Sequence, residues 1–208
     1  MKIYDCRRGE LSGNDTKEIA GLIKDGELIV YPSETVYGIG ADIFDEAAIK
    51  KLFMAKHRPF DMPLSVGVAD KKAASSIAEI DEFADKLMDA FMPGPLTIIV
   101  KKKDNVPDIV TANSHKVGIR IPDHPIAQQI LRKTGPVVAT SANLHSKPDA
   151  VRMEEAKEQL GDTVSAYIDA GPCTTGKPST IVWIMDGEIE IIRQGAITKK
   201  QIQEVLRC

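Results

Sequence analysis

The chain predicts a mixed α/β fold, and three observations point to it. Short apolar runs of strand length alternate with amphipathic helical stretches along the whole sequence. Asp186-Gly187 separates two such runs and marks a β-hairpin, so the sheet has to be mixed rather than purely parallel. With 208 residues, 43% hydrophobic and 27% charged, the chain has enough apolar material for a substantial core. No repeat or low-complexity linker divides it, so residues 1–208 are expected to form a single domain.

Each element has a local reason. Asp15 is positioned to cap a helix over Thr16–Lys24, with Ile19, Leu22 and Ile23 on one face and Gly26 closing it. Glu27–Tyr31 reads as a strand. Pro32 ends it, and Ser33-Glu34-Thr35 follows before Gly38 and Gly40, which suit a tight turn. Asp45 caps a helix to about Lys56, and Pro59 pushes Arg58 out of helical geometry. Leu64–Val68 is a buried strand, and two helices follow, capped by Asp70 and spanning Asp81–Phe91. Met92–Pro95 is a rigid turn feeding the strand Leu96–Lys101. Val117–Ile121 alternates around Arg120, and Pro125 fits the first turn of a helix to about Lys133. The strand Val137–Thr140 opens onto Ser141-Ala142-Asn143. A helix at Met153–Leu160, a strand at Ala166–Asp169 and a loop to Pro178 precede the hairpin Ser179–Ile184 and Glu188–Ile192. Thr198 caps the last helix.

Bulk properties narrow the function. A net charge of −3 argues against coating nucleic acid by bulk electrostatics. No apolar run approaches the roughly 20 residues of a membrane span, and the first residues are too polar for a secretory signal. Three cysteines, odd in number and far apart, fit a reduced cytoplasmic protein. The four histidines lack ligand spacing, so no resident metal site is expected. G-x-S-x-G and Walker motifs are absent.

The polar strand exits share one chemistry. Thr35, Arg120, Ser141, Ser179 and Arg193 each lie in or just past a strand, and Lys56 and Arg58 lie at a helix end. Such a set suits a phosphorylated ligand together with a carboxylate, because arginine grips either and lysine adds a point charge.

Eight motifs then resemble one family, in order and over almost the whole chain: PSETVYGIG at 32–40, KHRP at 56–59, PLSV at 63–66, PGPLT at 93–97, GIRIPDHP at 118–125, TSAN at 140–143, STIV at 179–182 and RQG at 193–195. They are similar to the YrdC-like threonylcarbamoyl-AMP synthases, in their short single-domain form. The resemblance implies a twisted, mixed sheet wrapped around a deep, positively lined cavity. It also implies that L-threonine, bicarbonate (or carbon dioxide) and ATP, with magnesium, give threonylcarbamoyl-adenylate and pyrophosphate. A tRNA threonylcarbamoyl-transferase partner would use that product, and direct contact with tRNA is a further implied interaction. Carried over by motif, Thr35, Arg120 and Ser179 bind threonine, with Arg120 pairing bidentately with its carboxylate. Lys56, Arg58, Ser141, Asn143 and Arg193 hold ATP, Lys56 and Arg58 being the catalytic pair, and no protein nucleophile is needed. Three positions depart from the pattern. Met62 replaces a common Asn, Gly67 a common His, and Lys116 a usual Thr whose place still puts a cation within reach of a phosphate. Two other readings are a non-catalytic module binding tRNA or double-stranded RNA, and a detached domain like those of hydrogenase-maturation carbamoyltransferases.

Overall fold

The computed structural model describes residues 1–185 and 188–207. Its strands build two mixed sheets rather than the single sheet expected. The first contains β1 (Lys2–Asp5), β2 (Ile29–Tyr31), β3 (Gly38–Gly40), β8 (Thr140–Ser141) and β9 (Ala166–Asp169), in the order β1-β9-β2-β3-β8. The second contains β4 (Ser65–Gly67), β5 (Leu96–Lys101), β6 (Lys116–Arg120), β7 (Val137–Val138), β10 (Thr180–Met185) and β11 (Glu188–Arg193), in the order β11-β10-β5-β6-β4-β7.

The split occurs within what reads as one strand. Val137 and Val138 pair with β4 of the second sheet, and two residues later Thr140 and Ser141 pair with β3 of the first. Between them, the Ala139 N–H donates to Ser65 O at 2.8 Å, and the Val138 N–H donates to Ala41 O at 2.9 Å. A single extended run therefore satisfies both sheets and sews them together. No periodicity in the sequence marks such a crossing, because every residue of it is extended.

Helices flank the sheets: α1 (Gly13–Lys24), α2 (Glu46–Ala55), α3 (Lys71–Ile77), α4 (Glu82–Phe91), α5 (Asp108–Thr111), α6 (Pro125–Thr134), α7 (Met153–Leu160) and α8 (Lys199–Arg207). Asp45 and Asp70 cap α2 and α3 through their side chains, as their positions predict, and Asp81, expected as the first residue of its helix, caps α4 in the same way. The first helix corrects its expected cap. Ser12 Oγ accepts from Asp15 N at 3.1 Å, so Ser12 is the cap, and Asp15 sits in the first turn, where the helix dipole favours negative charge. The hairpin of β10 and β11 forms in antiparallel register, while its expected Asp186-Gly187 turn lies outside the described residues. Strand β1 was not legible, because only Tyr4 of its four residues is buried.

Strand β2 is buried on both faces. Val30 joins the larger core with Phe53, Val66 and Ile119, while Ile29 and Tyr31 join a second core with Ile19, Ile130 and Ile168. Each fully buried aliphatic side chain contributes about 2 kcal/mol. Gly38 and Gly40 do not turn the chain as expected. They lie in β3 without positive φ, and a Cβ at either would stand 3.2 or 3.1 Å from the Tyr31 ring, so they are small to admit that ring.

Gly195 is tighter still, since a Cβ there would lie 2.3–2.5 Å from backbone atoms of Pro178, Ser179 and Thr180. Backbone cannot give way as a flexible side chain can. Gly195→Ala is expected to lower stability by about 2–3 kcal/mol, measured by urea unfolding; an unchanged midpoint would contradict this packing.

Candidate functional site

The two sheets meet at a cleft of about 160 Å³, with Tyr31, Gly38 and Ser141 lining it from the first sheet and Thr97, Arg120 and Arg193 from the second. Five of the residues singled out from sequence reach its wall: Arg58, Arg120, Ser141, Ser179 and Arg193.

The stretch after β2 is folded by one hydroxyl. Ser33 Oγ donates to Val36 O at 2.6 Å and accepts the N–H groups of Thr35 and Val36 at 3.2 and 3.3 Å. It also lies 2.9 Å from Thr35 Oγ1. With its own proton committed to Val36, Ser33 receives the Thr35 hydroxyl proton, which leaves Thr35 Oγ1 as an acceptor. Arg120 Nη2 donates to that oxygen at 2.7 Å, and to Glu34 Oε1 at 2.7 Å. Thr35 is thus fully buried behind Arg120.

The other two guanidiniums have few partners. His57 takes a left-handed φ of 50°, turning the chain out of α2 so that Arg58 reaches the cleft. Arg58 Nη2 donates to Pro63 O at 2.9 Å, while its buried Nε has no partner among the described residues. Arg193, at the end of β11, donates through Nε and Nη2 to Ser179 O at 3.1 and 2.8 Å, and through Nη2 to Ser179 Oγ at 3.1 Å. Ser179 Oγ in turn lies 2.9 Å from Thr97 Oγ1. Burial, with the nearby charge of Arg193, pushes the Arg58 guanidinium below its ordinary range; burial lowers Arg193 too, against the pull of Asp149 and with a smaller push from Arg120. Both groups remain cations at neutral pH. A crowded set of cations with an unmet buried donor is a demand for an anion.

Lys56 is placed differently from its expected phosphate contact. It is 2% exposed, and its Nζ donates to Ser141 O and Asn143 O, both at 2.5 Å, and to Asn143 Oδ1 at 3.2 Å. Burial, and then the Arg58 charge, push its ammonium down to about 7. Three oxygen acceptors match the three N–H donors of the charged form and pull the other way. Asn143 is likewise occupied: its Nδ2 donates to Lys147 O at 2.5 Å, and its Oδ1 accepts from Ser141 Oγ at 2.6 Å. Lys56 and Asn143 therefore brace the loop that presents Ser141.

Lys116 stays out of the cleft. It opens β6 four residues before Arg120, roughly 13 Å away along the strand, and its Nζ sits 3.3 Å over the Trp183 ring. Gly67 has its own local reason, since a Cβ there would stand 3.2 Å from Ala139 Cβ and 3.6 Å from the Tyr31 hydroxyl. The sequence marks the stretch Ile29–Asp42, with Tyr31 and Glu34 in it, as the floor of a pocket, but it assigns no role to Glu34, Thr97 or Tyr31. Their signal was adjacency alone: Glu34 and Thr97 lie inside two of the matching motifs, and Tyr31 precedes one.

The Sua5/YciO/YrdC family model, described as "Telomere recombination", matches residues 21–195. A Methanocaldococcus jannaschii protein is 38% identical over 212 residues, covering 100% of this chain and 97% of its own. The threonylcarbamoyl-AMP synthase of Bacillus subtilis is 39% identical over 202 residues, covering 95% of this chain and 58% of that protein. The crystal structure of Pyrococcus abyssi Sua5 complexed with L-threonine aligns with a TM-score of 0.94 at 33% identity, over 99% of this chain and 61% of that one. The chain thus spans about three fifths of the latter two proteins and nearly all of the first.

Two outcomes follow from this geometry. Lys56→Ala strands the carbonyl oxygens of Ser141 and Asn143, while Asn143 Oδ1 keeps its Ser141 Oγ donor, so it is expected to cost about 2–3 kcal/mol of stability, read by urea unfolding; an unchanged midpoint would contradict this bracing. His124 caps α6 by accepting the Ile126 N–H on Nδ1 at 3.3 Å, and burial holds its imidazole below the ordinary value, against the pull of Glu34 and Asp123. The unfolded chain takes up this proton near pH 6.5, before the folded one does. The contribution is therefore present above about pH 6.5 and lost as pH falls below it. His124→Asn keeps a capping acceptor and is expected to flatten that loss; an unaltered pH profile of the unfolding free energy would rule His124 out as its source.

Proposed function

The chain belongs to the Sua5/YciO/YrdC family, and from that premise we propose that its cleft makes threonylcarbamoyl-AMP from L-threonine, carbon dioxide or bicarbonate, and ATP. Three guanidiniums in one cleft, with the buried Nε of Arg58 unpartnered, carry this reading. They supply a cationic wall for a triphosphate and a carboxylate at once.

In this reading the roles are those the motif resemblance implies, adjusted to where the side chains lie. Arg120, backed by Thr35, and Ser179 face the amino acid. Arg58, Arg193 and Ser141 face the nucleotide, and Lys56 and Asn143 hold Ser141 in place. The neutral amine of threonine attacks the carbon of carbon dioxide to give a carbamate, and the proton lost from its nitrogen passes to solvent. A carbamate oxygen then attacks the α-phosphorus of ATP, and pyrophosphate leaves with the breaking P–O bond. Arg58 and Arg193 neutralise the charge that grows on the leaving pyrophosphate, so the protein contributes orientation and electrostatics. Among the described residues no group of His, Cys, Asp or Glu is arranged to hold a metal ion. Magnesium would come with the phosphates of ATP, its usual mode beside nucleotides.

We read residues 1–208 as one YrdC-like domain whose cleft is the deep, positively lined cavity of that family. No described helix is long and apolar enough to cross a membrane, and Cys6 and Cys173 are free thiols, which suits work on tRNA in the cytoplasm. The product is a reactive mixed anhydride, so a transferase has to consume it to modify tRNA.

Pyrophosphate release from ATP and magnesium is expected only when L-threonine and bicarbonate are both supplied, and not with serine or valine. Arg58→Ala should lower turnover by about 100-fold with its unfolding transition retained. Salt-sensitive RNA binding without any pyrophosphate release would favour the RNA-binding reading instead.

A further inference from the structure

Glu34 stands beside Thr35, and the roles above leave it without one. Its side chain is 10% exposed and has both oxygens occupied: Oε1 by Arg120 Nη2 at 2.7 Å, and Oε2 by the Asp123 N–H at 3.1 Å. Its backbone carbonyl accepts the Thr175 N–H at 2.9 Å and the Thr174 hydroxyl at 3.2 Å. One residue thus ties the exit of β6 to the exposed loop running from Thr174 into Ser179. Both segments lead into the wall that faces the amino acid.

The donors of Arg120 can be counted. A guanidinium carries five N–H groups, and each of its two bidentate edges uses one hydrogen of the same Nη2 nitrogen. Here both Nη2 hydrogens are taken, one by Glu34 and one by Thr35, and Nε faces Gly94 O at 3.4 Å. Arg120 nonetheless lines the cleft, and Nη1 is the nitrogen left to serve it. The bidentate pair expected from the resemblance would first have to break one of these two contacts.

We infer that Glu34 is a positioning residue: with Thr35 it clamps Nη2 so that the Nη1 amino group of Arg120 receives the carboxylate of the amino acid, while its backbone carbonyl holds the 174–178 loop against the same subsite. This rests on the reading of Arg120 as the carboxylate-binding group. Glutamine at this position cannot replace the carboxylate. It turns an NH2 donor toward either the Asp123 N–H or Arg120, so one of the two contacts is lost.

The test uses the full chain and the pyrophosphate assay, with threonine and ATP each varied at a saturating level of the other. Glu34→Gln is expected to raise KM for threonine by about tenfold or more, with KM for ATP within about twofold of the parent value. A variant that merely loosens the fold would weaken both substrates. Should Glu34→Gln fail to fold, Glu34→Asp serves under the same criteria, because it keeps the buried charge but is one methylene too short for both partners. An unchanged KM for threonine, a lower one, or a rise matched by ATP would overturn the inference. In each of these cases the parent protein still turns over threonine, so the functional reading stands. A parent protein that releases no threonine-dependent pyrophosphate overturns both.

Discussion

Like charges confined in a small cleft repel one another, and the fold is built to hold three of them there. Arg58, Arg120 and Arg193 line the same wall, and Glu34 is the acidic side chain bonded to this set, through Arg120. Arg58 and Arg193 are held by carbonyl and hydroxyl oxygens, which orient a guanidinium without cancelling its charge, whereas Arg120 is paired with the Glu34 carboxylate. Carbonyl anchoring keeps the wall positive for an incoming polyanion, whereas carboxylate anchoring would neutralise it. A rigid frame is the condition for this arrangement, and two sheets sewn along one extended segment provide it.

Much of the frame was legible in the sequence, because its signals are local. Asp45, Asp70 and Asp81 announce three helix starts by side-chain capping, and Pro125 announces a fourth. Alternation around Arg120 and the run at Leu96–Lys101 give two central strands close to where they form. The non-local facts were not legible. That Val137–Ser141 divides between two sheets depends on where β3 and β4 lie, and no property of those five residues encodes it. Strand β1 was invisible for a related reason: it forms by pairing with β9, with little apolar burial of its own.

The candidate site divides the same way. Residue type and placement at strand exits identified the cleft arginines and Ser179, because a cation or hydroxyl at such an exit has few other uses. Lys56 and Asn143 share those residue types and lie in the same motifs, yet they face backward into the protein and support Ser141. Spacing cannot separate a residue that touches a ligand from one that holds the toucher. Lys116 shows the opposite limit. It shares a strand with Arg120, but at the far end, where Trp183 takes up its charge.

Tyr31 and its three glycines form one steric unit spread over three strands. A methyl at position 38 or 40 would crowd the ring at 3.2 or 3.1 Å, and the ring's hydroxyl stands at contact distance from the place a methyl at 67 would occupy. The four positions are then not independent under variation. A methyl at 67 would press on Ala139 at 3.2 Å while only touching the Tyr31 hydroxyl at 3.6 Å, so enlarging that position asks the segment joining the two sheets to move before the ring does.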